Sequence, residues 1–145
     1  MTDNSAQRTP PDHFVERGRQ KIRWAELHQR LLQRLRAQFN ETKPFAGLTI
    51  GICLHVEPKT AVLCTVLQAG GAEVVITGSP GTTKNDVAAA LRQAGVIVYG
   101  QQEDDKARHL ENIRCSLQGA SYRAATRTWG NQCYHSSLDG RESFA

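Results

Sequence analysis

Three short apolar runs separated by helix-patterned stretches constrain this chain more than any other feature. The runs cover residues 48–54, 72–77 and 96–99, and each reads as a buried strand. Between and after them the pattern is helical over 60–68, 86–93 and 103–117. Gly70-Gly71 and Gly95 end the first two helices, since glycine is the usual residue just past a helix terminus. Gly78-Ser79-Pro80-Gly81 reads as a turn, with Thr82 or Thr83 capping the next helix. The third helix is expected to hold acidic residues in its first turn and Arg114 in its last, as the helix dipole prefers. Continuous apolar strands alternating with helices predict a parallel sheet covered on both faces. The order βαβαβα is an α/β class, half of a doubly wound, Rossmann- or flavodoxin-like sheet.

The flanks lack this pattern. Residues 1–11 are polar, end in Pro10-Pro11 and read as a disordered leader. From Asp12, a candidate cap, to about Asn40 the pattern is that of one helix. Trp24, Leu27, Leu31, Leu35 and Phe39 recur at helical spacing and predict one apolar stripe. Lys43-Pro44 stops it, because the residue before proline avoids helical backbone angles. Residues 12–47 thus form a helical lead and 48–118 a partial α/β domain. Residues 119–145 show neither a helical stripe nor a β run and are expected to be a disordered tail. A recognisable core confined to 48–117 buries only ~60% of its unfolded surface and is marginal.

Charge and composition exclude several function classes. Residues 1–47 carry nine Lys/Arg against five Asp/Glu, while 48–118 carry six against seven. A basic helix can contact nucleic acid. No nucleic-acid motif accompanies this one, so its charges read as a solvated face. No stretch approaches the ~20 apolar residues of a membrane span, and the first residues lack a secretory pattern. Cys53, Cys64, Cys115 and Cys133 contain no C-x-x-C pair, which points to a reduced, cytoplasmic protein. Cys133 and His135 offer two metal ligands where a site needs three or four, so no metal is assigned.

In open α/β sheets, ligands bind beyond the carboxyl ends of the strands. Two loops lie there. His55, Glu57, Lys59 and Thr60 follow the first strand, and Thr82, Thr83, Lys84 and Asn85 follow the second. An imidazole just past a strand end can face a cleft and exchange protons near neutral pH. A hydrogen-bonded structural histidine is equally compatible with that position. Glu57 and Lys59 can orient a polar ligand or pair with each other at the surface. Glycines, hydroxyls and a lysine at a helix start favour an anion, although Lys84 does not match the spacing of a phosphate loop.

At these residues the sequence resembles the N-terminal part of the S-adenosylhomocysteine hydrolase (adenosylhomocysteinase) family. Gly18-Arg19, Ile22 and Trp24-Ala25-Glu26 are similar to that family's opening helix. Lys43-Pro44, Gly47-Leu48, Cys53-Leu54-His55-Val56 and Thr60-Ala61-Val62-Leu63 are similar to its first strand and substrate loop. Gly70-Gly71-Ala72-Glu73-Val74, Pro80, Thr83, Asp86-Val87-Ala88-Ala89-Ala90-Leu91 and Gly95-Val96 continue the match, which covers roughly residues 14–117.

The resemblance implies a reaction in which bound NAD oxidises the ribose 3′-hydroxyl, homocysteine is eliminated, water adds and the ketone is reduced. It implies an acid–base or positioning role for His55, and substrate contacts at His55, Glu57, Lys59, Thr60, Thr82, Thr83 and Asn85. Departures accompany it. The family usually has Thr where this chain has Glu57, Glu or Gln where it has Lys59, and Ser-Thr-Gln-Asp where it has Thr82-Thr83-Lys84-Asn85. It also has a proline near Leu27–Leu31, so its two opening helices are expected here to run on as one. The family's fourth strand, its later catalytic residues and its dinucleotide-binding domain have no counterpart in these residues. The chain alone is therefore expected to hold no cofactor and to be inactive, as a truncated or frameshifted hydrolase. A second expectation is a non-catalytic protein that binds a nucleoside, self-associates or pairs with a full-length hydrolase through an open sheet edge.

Overall fold

The computed structural model describes residues 12–123, with side chains through Gln118. Its helices are α1 (Asp12–Leu27), α2 (Arg30–Thr42), α3 (Pro58–Ala69), α4 (Asn85–Gln93) and α5 (Lys106–Arg123). Its strands are β1 (Thr49–Cys53), β2 (Glu73–Thr77) and β3 (Ile97–Tyr99). The strands form a parallel sheet in the order β1-β2-β3, with Cys53 opposite Thr77 and Thr77 opposite Tyr99. The expected βαβαβα order is present.

Strand alternation sends Ile52, Val74, Ile76 and Val98 to one face, where they join Ala61 and Cys64 of α3 and Val87, Ala88 and Leu91 of α4. Ile76, Leu91 and Val74 are fully buried, and each such side chain contributes about 1.5–3 kcal/mol of hydrophobic stabilisation. α5 packs on all three strands from the other face. The two crossover helices thus cover one face and α5 covers the other, so both faces of the sheet are covered as expected.

α1 lies outside α3 and α4 and is positioned by one carboxylate. Asp86, in the first turn of α4, is 4% exposed and accepts from Arg17 Nε at 3.0 Å and Lys21 Nζ at 2.6 Å. It also accepts from the Val87 amide at 2.9 Å. Burial alone would raise the Asp86 pKa. The Lys21 ammonium, the Val87 amide and the Arg17 guanidinium outweigh it and hold the carboxyl below its ordinary value. Gly18 makes the crossing possible, because a Cβ there would sit 2.0 Å from the Asp86 carbonyl oxygen.

Three expectations are corrected. The opening segment is two helices, not one. His28 N bonds Ala25 O and Gln29 N bonds Glu26 O, a tightened last turn, and Gln29 leaves helical angles at φ −117° and ψ 63°. The exposed carbonyls of that turn gain side-chain partners: His28 Nδ1 on Trp24 O at 2.8 Å and Gln33 Nε2 on Glu26 O at 2.6 Å. The bend lets α1 follow α4 while α2 follows α3. The predicted stripe is consequently split: Trp24, Leu27 and Leu31 are exposed, Leu35 and Phe39 on α2 are half-buried, and α1 buries Val15, Gly18 and Ala25 instead.

The second correction concerns caps. Neither Thr82 nor Thr83 caps α4, whose N-cap is Lys84 without a side-chain bond. Thr83 Oγ1 donates to Ser79 O instead. The third concerns α5. Glu103, Asp104 and Asp105 precede it rather than fill its first turn, and Asp105 Oδ1 accepts from Arg108 N at 2.8 Å as a cap. The helix also continues to Arg123, past the expected boundary at residue 118. The expected leader and the remainder of the expected tail lie outside the described residues.

In an isolated helix Gly→Ala would stabilise by about 1 kcal/mol. Gly18→Ala is expected to destabilise instead, by about 1–3 kcal/mol, because the new methyl overpacks the α1–α4 crossing. Urea titration reads the sign directly. Asp86→Asn is expected to cost about 1–3 kcal/mol near neutral pH. Since the folded-state pKa of Asp86 lies below the unfolded one, its contribution is present above about pH 4 and lost as pH falls through the folded value. The wild-type advantage over Asp86→Asn should therefore shrink in acid, and an unchanged advantage there would disprove the pairing.

Candidate functional site

The parallel pairing of β1 with β2 brings the two predicted loops together at the carboxyl ends of the strands. Lys84 N donates to Val56 O at 2.9 Å, and Leu54 N donates to Thr77 O at 3.2 Å. Gly78 permits this approach, because a Cβ there would meet Thr83 Oγ1 and Val56 Cγ2 at 2.8 Å. His55 is exposed at the lip, with Nδ1 2.9 Å from Thr82 Oγ1. Thr82 Oγ1 in turn lies 2.8 Å from Ser79 Oγ and donates to Ser79 O at 3.0 Å.

The loop after β2 is closed on itself. The amides of Gly81, Thr82, Thr83 and Lys84 donate to Gln102 O, Ser79 O, Ser79 O and Val56 O. Those four donors are consumed by the protein, so the anion cradle suggested by the glycines and hydroxyls does not form from them. Thr83 is fully buried and its hydroxyl is spent within the turn. Asn85 serves the neighbouring loop, with Nδ2 donating to both oxygens of Glu103 at 2.8 and 2.9 Å and Oδ1 accepting from Gln102 N at 3.0 Å.

The predicted residues after β1 divide. His55 turns towards Thr82. Glu57 is the N-cap position of α3, Pro58 supplies its first turn without an amide to leave unpaired, and Thr60 is half-buried in that turn. Glu57 and Lys59 line a cleft of about 480 Å³ whose opposite wall is Arg17, Lys21 and Trp24 of α1. Arg17 and Lys21 are simultaneously bound to Asp86, so this wall is basic and anchored.

Ser79 and Glu103 were not among the predicted site residues. Ser79 had a signal, since a hydroxyl next to Pro80-Gly81 fits a turn whose carbonyl gathers later donors. Glu103 had none, because its partner Asn85 is eighteen residues away and only the fold joins them. Among the described residues no group of three or more His, Cys, Asp or Glu is arranged for a metal ion. Cys53 and Cys64 are free thiols, and burial pushes the Cys64 thiol up to about 12. No described helix is long and apolar enough to cross a membrane.

A family model for S-adenosyl-L-homocysteine hydrolase matches residues 13–126. An S-inosyl-L-homocysteine hydrolase of Methanothermobacter thermautotrophicus is 47% identical over 101 residues, covering 69% of this chain and 24% of that protein. An adenosylhomocysteinase of Sulfolobus acidocaldarius is 46% identical over 102 residues, covering 70% and 25%. An S-inosyl-L-homocysteine hydrolase of Methanocaldococcus jannaschii is 46% identical over 97 residues, covering 66% and 23%. The chain thus spans about a quarter of the length of these curated relatives.

Asn85→Ala is expected to loosen the β3–α5 connection rather than to act at a ligand. It should cost about 1–2 kcal/mol and expose the Gln102 amide to hydrogen exchange. Unchanged Gln102 protection in the variant would refute this structural role.

Proposed function

The chain belongs to the S-adenosyl-L-homocysteine hydrolase family, and on that premise we propose that it carries the nucleoside-facing part of such a hydrolase and binds a purine nucleoside without turning it over by itself. The observation that supports binding is the placement of His55 just past the carboxyl end of β1, held by Thr82 on the loop after β2. His55 is the residue assigned to the ribose side, as acid–base or positioning group. Glu57, Lys59 and Thr60 are assigned to the remainder of the nucleoside, with Thr82 behind His55. Thr83 and Asn85 are assigned to the walls that hold these groups.

The residues present do not fit a dinucleotide. A dinucleotide fingerprint places Gly-x-Gly in the first βα turn so that backbone can approach a pyrophosphate. Here that turn reads His55-Val56-Glu57-Pro58, and no two glycines anywhere in the chain are separated by a single residue. No redox step is therefore derived for these residues, and the isolated chain is proposed to release no homocysteine.

Lys59 bears on which purine is preferred. An ammonium only donates hydrogen bonds. A 6-oxopurine presents an acceptor at the place where a 6-aminopurine presents donors. Lys59 in the position assigned to the base thus favours inosine over adenosine, the chemistry named in two of the relatives. Calorimetry of the 145-residue chain should show inosine binding about tenfold more tightly than adenosine. Lys59→Gln should erase that ratio, and His55→Ala should weaken both ligands. Equal affinities in the wild type would sink the preference. Absence of any nucleoside binding would sink the proposed function.

A second reading is favoured by the outer edge of β1. Among the described residues that strand pairs only with β2, and Thr49–Cys53 contains no charged residue or proline to discourage a further strand. Self-association, or pairing with a full-length hydrolase, is the corresponding proposal. Light scattering that finds a well-folded monomer alone and in a mixture with a homologous hydrolase would dismiss it.

A further inference from the structure

The hydrogen bonds around Thr82 bear on which nitrogen of His55 carries the proton. A threonine hydroxyl has one hydrogen to give and two lone pairs to receive with. Thr82 Oγ1 has three neighbours within hydrogen-bond distance: Ser79 O at 3.0 Å, Ser79 Oγ at 2.8 Å and His55 Nδ1 at 2.9 Å. Ser79 O can only accept, and of the four donors around it the Thr82 and Thr83 hydroxyls are nearest, at 3.0 Å each against 3.3 and 3.2 Å for their amides, so the single Thr82 hydrogen is assigned to that carbonyl. The other two neighbours must then donate. Ser79 supplies its own hydroxyl hydrogen, and His55 supplies a hydrogen on Nδ1.

We infer that Thr82 is a positioning residue that holds neutral His55 as the Nδ1–H tautomer, leaving Nε2 as an unprotonated acceptor directed away from the loop. Among the described residues Nε2 has no hydrogen-bond partner, and the ring is exposed at the carboxyl end of β1. The group that completes this arrangement is a hydrogen-bond donor, such as a sugar hydroxyl or a water. A donor-only cation at the same place would meet a lone pair as well, but an acceptor such as a carboxylate or phosphate oxygen would meet lone pair against lone pair. While the ring is neutral, the device therefore favours hydroxyl-bearing ligands over anions. This agrees with the consumed amides of residues 81–84, which offer an anion nothing either.

The structural part of this inference stands on the hydrogen bonds alone, and only the sugar hydroxyl as occupant rests on the proposed nucleoside reading. Two-bond proton–nitrogen correlation spectra of the 145-residue chain distinguish a protonated from an unprotonated ring nitrogen, and the His55 signals are identified by their loss in His55→Gln. With the ring neutral, Nδ1 is expected to show the protonated pattern and Nε2 the unprotonated one. Thr82→Val removes the acceptor and should shift the population to Nε2–H, whereas Thr82→Ser keeps the hydroxyl and should retain Nδ1–H. A merely structural role for Thr82 would move neither pattern. A wild-type spectrum with the proton on Nε2 overturns the inference, as does a folded Thr82→Val protein with the wild-type pattern. Should Thr82→Val fail to fold, the wild-type and Thr82→Ser spectra still decide. Failure of nucleoside binding with the Nδ1–H pattern intact would remove the nucleoside reading and leave the tautomer assignment standing.

Discussion

A single buried carboxylate organises the helical side of this molecule. Asp86 at the start of α4 receives Arg17 and Lys21 from α1 on one oxygen, and its own helix supplies the Val87 amide to the other. A carboxylate buried with one cation removed would be costly, so the pair of cations on consecutive turns of α1 fixes both the distance and the rotation of that helix. Gly18, between them, lets the helix backbones come close enough for those bonds to form. Once α1 is set in this way, its core face is Val15, Gly18 and Ala25, and the Trp24–Leu31 side must look outward.

That dependence explains which parts of the fold were legible in the sequence. The strands and crossover helices were readable because their apolar residues bury against neighbours close in the chain, and the period of the pattern survives. The α1–α2 bend was not readable from the apolar stripe, since Trp24, Leu27 and Leu31 keep perfect helical spacing across a break. What distinguishes the two halves is where each docks, α1 across α4 and α3 and α2 along α3, and that is a property of tertiary packing. The extent of α5 escaped for a similar reason: its acidic lead-in serves as cap and loop anchor, and residues beyond 118 add no apolar stripe of their own.

The candidate site shows the same division. His55 could be singled out because an imidazole can exchange protons near neutral pH and the topology makes positions after strand ends ligand-facing. Its partner Thr82 lies twenty-seven residues away, joined only when β1 and β2 pair in register. The residue types in the loop after β2 suggested an anion site. Hydrogen-bond accounting reverses that suggestion, because every amide from Gly81 to Lys84 finds a protein carbonyl. Composition shows what a loop contains, while the destination of each donor decides what remains for a ligand.

Three consecutive residues at the start of α4 each hold a different part of the molecule. The Lys84 amide holds the turn after β1, the Asn85 side chain holds the loop before α5, and the Asp86 carboxylate holds α1. The first turn of α4 therefore links segments that are far apart in the chain into one cooperative unit. Local opening of α1 would release the charge partners of Asp86 and strain the same turn that positions His55 and Thr82. Fluctuations of the opening helix and of the candidate site should thus share one free energy of opening, although α1 contributes no group to the histidine itself.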